Sequence, residues 1–344
     1  MIQLKIGILN GGGDCAGLNA VTRGAVRAAE DAGDSVVAIR RGWAGLLEKD
    51  ASPITYSDFE MLIGEGGTAL GTSRTNPLKR EHGLEVVSQN IRSLGLDALI
   101  AVGGDDTLGV ARELSLAGEK VIGVPKTIDN DLAGTDYSFG FFTAVDEAMR
   151  MIESLATTGR SHSRTMIVEV MGRDAGWISL YAGSAAGANM VLIPEFRTGA
   201  DDVIKLLEER KKAGKRSSVI VVAEGVSFVQ REGVEKDEFD HELIAKAPGE
   251  SNASYLARLI EERTGLETRA TVLGHTIRGT RPNAYDRIMS IRLGARAAAA
   301  AHGGRFGVMV AIRGAGIEEV PLTEGTKKKF VDEETWKSLR IFFS

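Results

Sequence analysis

The chain has 344 residues, of which 43% are hydrophobic and 26% charged, a composition typical of a soluble globular enzyme with room for two domains. Its net charge of −5 gives no general attraction to nucleic acid or acidic membranes, and its single cysteine, Cys15, excludes an intrachain disulfide or a cysteine-cluster metal site. The start lacks a signal-peptide apolar region and no run approaches the ~20 apolar residues of a membrane span, so we expect a cytoplasmic protein.

The first predicted strand, over residues 5–9, runs into the glycine-rich turn NGGGDCAGLN, and a helix is predicted over 20–32. Glycines between a strand and a helix let backbone N–H groups approach a phosphate, although such a turn alone is equally consistent with tight packing. After a second strand over 35–40, the loop GGTALGTSRTNP surrounds Arg74 with small residues. This composition suits phosphate contacts, but a lone arginine in a loop is more often a surface charge.

Residues 98–131 form the most informative stretch of the sequence. Two apolar runs, 98–102 and 121–124, predict buried parallel strands that flank a helix over 107–116. Each strand ends in a polar loop, GGDDT and KTIDND, and in open α/β sheets ligands bind at these carboxyl ends. Four aspartates and one lysine are therefore predicted to face one crevice, which suits phosphoryl transfer.

The middle of the chain predicts a helix over 142–155 and strands over 165–170, 190–193 and 218–223. Arg164 and Arg173 bracket one strand at its two ends, ~20 Å apart, so they cannot both reach one phosphate within a subunit. Either one is structural or they serve two sites. Residues 230–250 are charged and weakly patterned, which predicts an exposed excursion.

The last part predicts a helix over 258–268, a basic strand, a helix over 284–301, a strand over 306–312 and a charged tail over 324–344. The predicted strand region carries Arg269, His275, Arg278 and Arg281, which suits a polyanionic or sugar-phosphate ligand. The pattern of seven or more βα units indicates an α/β fold, with domain boundaries near 140 and 255.

The segments GGGDCAGLN, GGTALGTSR, VGGDDTLG, PKTIDND, SHSRTMIVEVMGR, VVAEG and RATVLGHTIRG occur in order between residues 5 and about 315. Together they resemble the phosphofructokinase family. The resemblance implies two Rossmann-like three-layer domains with parallel-dominated sheets and chain crossings between them. We expect a phosphoryl-donor domain over 1–140 and about 255–304, and a fructose 6-phosphate domain over about 141–254 and 305–344.

The resemblance also implies roles for individual residues. Asp129 is expected to be the base that takes the proton from the C1 hydroxyl of fructose 6-phosphate, with Thr127 and Asp131 beside it, and Asp105 to bind Mg²⁺. Gly12, Gly13, Arg74 and Lys126 are expected to contact the donor. The sugar phosphate is expected to be held by Thr127, Asp129, Met171, Gly172, Arg173, Glu224, His275 and Arg278, and by Arg164 and Arg269 reaching from an adjacent subunit of a homo-oligomer.

Two positions favour pyrophosphate as the donor. Family members that use ATP have glycine where Asp106 stands, and commonly where Lys126 stands. A carboxylate at 106 would fill the space of the nucleotide α-phosphate and oppose its charge, whereas pyrophosphate has no α-phosphate. Lys126 would add a cation beside the transferring phosphoryl group. We expect the reaction to run readily in both directions.

Allosteric control is expected to be weak or absent. Arg23 and Arg27 match basic residues of the family's effector site, but Ala156, Asn189 and Ala213 stand where that site has charged side chains.

Three other hypotheses remain open at this point. They are an ATP-dependent enzyme of the same family, a GGDG-type kinase of NAD or lipid, which would not explain PKTIDND with LGHTIRG, and a non-catalytic sugar-phosphate sensor. The sensor hypothesis predicts loss of the base, yet Asp129 is present.

Overall fold

The computed structural model describes residues 3–228, 247 and 249–344. Most of the predicted excursion over 230–250 lies outside the described residues.

The strands are β1 Lys5–Asn10, β2 Ser35–Ile39, β3 Ala51–Ile54, β4 Ala98–Gly103, β5 Val121–Pro125, β6 Thr165–Val170, β7 Met190–Leu192, β8 Ser218–Ala223, β9 Thr268–Val272, β10 Val308–Arg313 and β11 Gly316–Pro321. The helices are α1 Leu18–Asp31, α2 Trp43–Glu48, α3 Tyr56–Phe59, α4 Gly83–Ser93, α5 Asp105–Leu116, α6 Phe141–His162, α7 Trp177–Ala185, α8 Ala200–Lys212, α9 Asn252–Thr264, α10 Ala284–His302, α11 Leu322–Gly325 and α12 Glu333–Arg340. Short 3-10 helices cover Glu60–Gly64, Pro77–Lys79 and Gly274–Ile277.

The chain folds into two compact units, each built from separate parts of the sequence. Unit 1 comprises Met1–Ala144 and Arg278–Lys329, and unit 2 comprises Val145–Ile277 and Phe330–Ser344. The chain passes between units after Ala144, Ile277 and Lys329, as the predicted chain crossings require.

The described strands of unit 1 form a seven-stranded sheet in the order β11-β10-β5-β4-β1-β2-β3. The pairs among β10, β5, β4, β1 and β2 are parallel, and only the edge pairs β10–β11 and β2–β3 are antiparallel. Leu99 packs in one core with Leu108 of α5 and Val87 of α4. The next residue of the strand, Ile100, is also buried, and its side chain points to the opposite face of the sheet. On that face α10 packs against β4, β5 and β10. Helices therefore cover both faces, as a mainly parallel sheet of apolar strands requires.

The described strands of unit 2 form a four-stranded parallel sheet in the order β7-β8-β6-β9. Ile220 and Val222 of β8 lie in one core with residues of α8 and α9. Val221 points the other way, towards α7, where the Cβ position of Gly183 lies 3.2 Å from its Cβ. Successive side chains of a strand point to opposite faces. Each sheet is thus the middle of three layers, as predicted.

The first predicted boundary, near 140, lies close to the observed one at Ala144, but the second boundary and the C-terminal assignment were wrong. Residues 255–277 belong to unit 2 because β9 pairs with β6, with Thr268 opposite Thr165. Residues 305–329 belong to unit 1 because β10 pairs with β5, with Val308 opposite Ile122.

The predicted basic strand was also wrong in extent. Strand β9 ends at Val272, so it carries Arg269 alone of the four basic residues. His275 lies on the 3-10 helix Gly274–Ile277, and Arg278 and Arg281 follow it in unit 1. The helix predicted over 258–268 ends at Thr264, because Gly265 adopts the left-handed conformation that terminates helices.

Candidate active site

Three polar loops of unit 1 meet at the carboxyl ends of β1, β4 and β5. These strands are parallel neighbours, with Ile8 opposite Ile100 and Ile100 opposite Ile122. Backbone hydrogen bonds continue past the strand ends: the N–H of Gly11 donates to the carbonyl of Val102, and that of Lys126 to the carbonyl of Gly103, both at 2.9 Å. The loops that carry the aspartates and the lysine therefore lie together at this edge of the sheet.

The glycine-rich turn is held by the loop that contains Arg74. The N–H of Gly12 donates to the carbonyl of Ser73 at 3.0 Å, and the Thr72 hydroxyl donates to the carbonyl of Gly12 at 2.7 Å. Gly12 has φ +83°, a left-handed conformation that side-chain-bearing residues rarely adopt. The exposed Arg74 follows Ser73 directly, which places it close to the turn, and its expected contact with the donor stays a prediction.

Two cations converge on this turn. The ammonium of Lys126 donates to the carbonyl of Gly13, and a guanidinium nitrogen of Arg278 lies 3.4 Å from the carbonyl of Asp14. A Cβ at Gly13 would lie 2.8 Å from that guanidinium, so a side chain here would push Arg278 away. Burial lowers the pKa of Lys126, whose exposed fraction is 4%. The turn therefore presents concentrated positive charge, which suits a phosphate.

The loop after β5 fixes the predicted base in position. Asp129 is 5% exposed, and its backbone N–H donates to the hydroxyl of Thr127 at 3.1 Å. Asn130 has φ +53°, and its side-chain oxygen accepts from the N–H of Ser138 at 3.2 Å and from the ammonium of Lys329 at 3.1 Å. These bonds hold a left-handed turn that is costly for asparagine without such support.

Lys328 was missed by the sequence reasoning, which treated residues 324–344 as a charged tail. Its ammonium lies 2.9 Å from a carboxylate oxygen of Asp105 and 2.7 Å from one of Asp131. Partial burial opposes this charge, but hydrogen bonds to Asp131 and Asp105 outweigh it and raise the pKa of Lys328. A run of three lysines was visible in the sequence, but nothing in its spacing distinguishes the middle one.

Asp105 and Asp106 open helix α5, where the helix dipole favours negative charge. Asp106 is exposed, and one of its oxygens lies 3.4 Å from the side-chain nitrogen of Asn76. Asp105 is a carboxylate, the hard oxygen donor that Mg²⁺ prefers. Among the described residues, no three His, Cys, Asp or Glu side chains cluster as metal ligands. A single carboxylate, that of Asp105, fits Mg²⁺, which is usually held by one or two carboxylates together with substrate phosphates.

In unit 2, the predicted sugar-binding residues follow two neighbouring strands. Glu224 comes directly after β8, and its carboxylate accepts from the N–H of Gly172 at 3.1 Å and of Arg173 at 2.8 Å, beyond the end of β6. Met171 and Gly172 lead into Arg173, whose φ is +51°. The carboxylate thus stabilises a turn that presents the exposed Arg173 side chain.

Arg164 lies at the opposite end of β6, as predicted. Arg164 and Arg269 both contact Glu267, at 2.7 and 2.5 Å.

His275 is exposed and belongs to unit 2, whereas Arg278 belongs to unit 1. The expected pairing of His275 with Arg278 on one phosphate stays a prediction.

Arg23 and Arg27 on α1 both have an aromatic partner within unit 1. Their guanidinium carbons lie 4.9 and 5.3 Å from the ring centre of Tyr56. Arg27 also pairs with Asp31 at 3.0 Å. The expectation of weak or absent allosteric control stays a prediction.

Among the described residues, no helix is long and apolar enough to cross a membrane.

Comparison with known proteins gives one consistent family. Residues 5–301 match the family described as Phosphofructokinase. The chain is 48% identical to a pyrophosphate–fructose 6-phosphate 1-phosphotransferase from Amycolatopsis methanolica, over 99% of this chain and 100% of that protein. It is also 45% identical to ATP-dependent 6-phosphofructokinase 3 from Streptomyces coelicolor, over 94% and 95% of the two chains. The solved structure of a pyrophosphate-dependent phosphofructokinase from Nitrosospira multiformis superposes with a TM-score of 0.84 at 22% identity, covering 99% of this chain and 92% of that one. That likeness confirms the predicted fold.

Proposed function

The chain belongs to the phosphofructokinase family, and we propose that it transfers a phosphoryl group from pyrophosphate to the C1 hydroxyl of fructose 6-phosphate. The products are fructose 1,6-bisphosphate and phosphate. The observation that carries the proposal is the occurrence of Asp106 and Lys126 in the loops at one edge of the unit 1 sheet. Relatives named for pyrophosphate at 44–48% identity over the full chain support it.

Asp129 is the group proposed to take the proton from the C1 hydroxyl. The hydrogen bond from its N–H to Thr127 fixes its backbone, and burial restricts its side chain, which favours proton transfer from a bound hydroxyl. The resulting alkoxide attacks phosphorus and phosphate leaves. Thr127 and Asp131 flank the base, and the backbone of Asp131 accepts from the N–H of Lys329 at 2.9 Å.

Positive charge for the phosphoryl group comes from this chain and from a metal ion. Lys126, Arg74 and the amides of Gly12 and Gly13 would bind pyrophosphate at the glycine-rich turn. Asp105 would hold Mg²⁺, which when bound neutralises charge that develops on the phosphoryl oxygens. Unit 1 is therefore the proposed donor unit.

Unit 2 is the proposed sugar-phosphate unit. Met171, Gly172, Arg173 and Glu224 of unit 2 would contact fructose 6-phosphate at one end of β6. His275 of unit 2 and, from unit 1, Arg278 are proposed for its 6-phosphate, as the family resemblance implies. Arg164 and Arg269 are at the other end of β6, a strand of six residues that spans ~20 Å. We therefore propose a homo-oligomer, dimer or tetramer, in which they complete a neighbouring subunit's site.

ATP as the donor is the second candidate, because relatives named ATP-dependent are almost as similar, at 43–45% identity. Purified protein assayed in parallel with pyrophosphate and with ATP, at saturating Mg²⁺ and fructose 6-phosphate, separates the two. We expect fructose 1,6-bisphosphate with pyrophosphate, and the reverse reaction from fructose 1,6-bisphosphate and phosphate. A clear preference for ATP would reject pyrophosphate as the donor, and no turnover with either donor would favour a non-catalytic sensor.

A further inference from the structure

Lys328 provides an ammonium group between two carboxylates of the proposed donor site. Its nitrogen is 2.9 Å from Asp105 and 2.7 Å from Asp131. The Asp131 side chain is 7% exposed, while those of Asp105 and Lys328 are 31% and 37% exposed. The ion pairs are therefore partly shielded from solvent, and they involve the carboxylate proposed to bind Mg²⁺.

The backbone around Lys328 is fixed by the loop that carries the proposed base. Lys328 pairs with Leu132 in an antiparallel bridge. The N–H of Ala133 donates to the carbonyl of Lys327 at 2.8 Å, and the N–H of Lys329 donates to the carbonyl of Asp131 at 2.9 Å. These bonds place the Lys328 backbone directly beside the loop, and from there its ammonium reaches both carboxylates.

A divalent cation at Asp105 would have to approach a carboxylate that already has a cation at hydrogen-bonding distance. Mg²⁺ needs oxygen ligands at about 2.0–2.1 Å, and its charge would be repelled by the Lys328 ammonium. A diphosphate changes this balance, because its oxygens can bind the divalent cation and at the same time accept hydrogen bonds from an ammonium.

We propose that Lys328 keeps Asp105 from binding a divalent cation by itself, so that the cation enters the site as its complex with the diphosphate donor. This inference rests on the proposed function, which assigns Asp105 to the metal. In it, Lys328 is a positioning residue that sets the order in which the metal and the donor bind.

The test measures binding of Mn²⁺, a spectroscopic substitute for Mg²⁺, to the full-length protein by the electron paramagnetic resonance signal of free Mn²⁺. We expect the wild-type protein to bind Mn²⁺ weakly in the absence of donor, and Lys328→Met to bind it roughly tenfold more tightly or better. Because pyrophosphate itself binds Mn²⁺ in solution, protein-bound Mn²⁺ in its presence is measured by equilibrium dialysis. Pyrophosphate without sugar should bring Mn²⁺ onto the wild-type protein and reduce the difference in bound Mn²⁺ between the wild type and Lys328→Met.

Three further variants separate this role from a general effect of charge or of folding. Lys327→Met removes the neighbouring lysine, which is 63% exposed and pairs with Glu324, and should leave Mn²⁺ binding unchanged. Lys328→Arg keeps a cation and should bind Mn²⁺ as weakly as the wild type. The double variant Asp105→Asn with Lys328→Met should lose the increase in Mn²⁺ affinity expected for Lys328→Met alone. Lys328→Gln serves as the neutral variant if the methionine variant does not fold.

Equal Mn²⁺ affinities of the wild type and a folded neutral variant would overturn the inference, as would a gain that persists without the Asp105 carboxylate. A purely structural role predicts a lower melting temperature with no change in Mn²⁺ affinity. Binding to the free protein requires no turnover, so this result is distinguishable from failure of the proposed function, which appears as absence of activity with pyrophosphate.

Discussion

The Glu224 carboxylate accepts a hydrogen bond from the backbone N–H of Arg173 at 2.8 Å, and the same oxygen accepts from Gly172 at 3.1 Å. One side chain after β8 thus holds the turn after β6. Because Arg173 has φ +51°, this turn is strained and depends on such support.

We expect Glu224→Ala to raise KM for fructose 6-phosphate by about tenfold, because hydrogen bonds to a charged group contribute about 1.5–3 kcal/mol each and the two at Glu224 are partly exposed. Glu224→Gln keeps an acceptor oxygen and should raise KM less. Steady-state kinetics at saturating pyrophosphate, with thermal unfolding as the control for folding, checks both. Unchanged KM in a folded alanine variant would contradict the assigned role.

Replacement of the proposed base, Asp129→Asn, should lower kcat by about 10²–10⁴-fold, the range typical for loss of a general base. Binding of fructose 6-phosphate, measured by calorimetry, should change far less than kcat, because asparagine keeps the size of the side chain. An Asp129→Asn variant with more than a tenth of wild-type kcat would show that another group takes the proton.

We expect the size of the Asp106 side chain to affect donor choice more than its charge does. Its side chain is exposed, so solvent screens its charge. We expect Asp106→Gly, alone or with Lys126→Gly, to raise kcat/KM for ATP relative to pyrophosphate by roughly tenfold or more. Asp106→Asn removes the charge without opening space and should have the smaller effect. Equal ratios in the wild type and all three variants would exclude Asp106 as the discriminator.

The pH dependence of kcat/KM for pyrophosphate should reflect deprotonation of the buried Lys126. Burial lowers the pKa of its ammonium, so the free enzyme should lose this charge, and with it affinity for pyrophosphate, at a lower pH than an exposed lysine would. A bound anion raises that pKa again. The alkaline fall in kcat/KM for pyrophosphate should therefore begin at a lower pH than the fall in kcat. Lys126→Met should be less active, and its kcat/KM for pyrophosphate should not show this alkaline fall. If the variant shows the same fall at the same pH, another group is responsible for it.

Stability should depend on pH through Lys329. Its ammonium donates to Asn130, Thr135 and Asp136, and burial lowers its pKa from 10.5 to about 8. Between these pH values the unfolded chain binds more protons than the folded one, so the contribution of Lys329 to stability is flat below about pH 8 and rises towards pH 10.5.

Denaturant unfolding of the wild type and Lys329→Met at pH 7 and 9.5 measures this effect. We expect the stability difference between the two proteins to move in favour of the wild type at the higher pH. Lys327→Met, whose lysine is largely exposed, should show no such change. A pH-independent difference for Lys329→Met would contradict the lowered pKa.

Most of the fold and of the donor side could be predicted because the necessary information is local in the sequence. Apolar runs identified strands such as β4 and β5, and polar residues directly after them had to meet at one edge once the strands were parallel neighbours. The placement of Asp105, Lys126 and Asp129 at one edge follows from this rule, whereas the roles proposed for them come from the family resemblance. The position of Glu224 beside Arg173 needed the structure, because it depends on the pairing of β6 with β8.

The tertiary structure decided what depends on pairing between distant segments. Strand β9 belongs to unit 2 and β10 to unit 1 because of their partners, β6 and β5, and no local pattern specifies those partners. Lys328 is the clearest case, since it lies 223 positions after Asp105 in a lysine-rich tail yet its ammonium is 2.9 Å from that carboxylate. Its sequence neighbours do not indicate this contact; it forms because hydrogen bonds hold the tail alongside the loop after β5. The sequence by itself thus determined which polar side chains lie in the proposed donor loops, and chain folding determined which remote cation pairs with them.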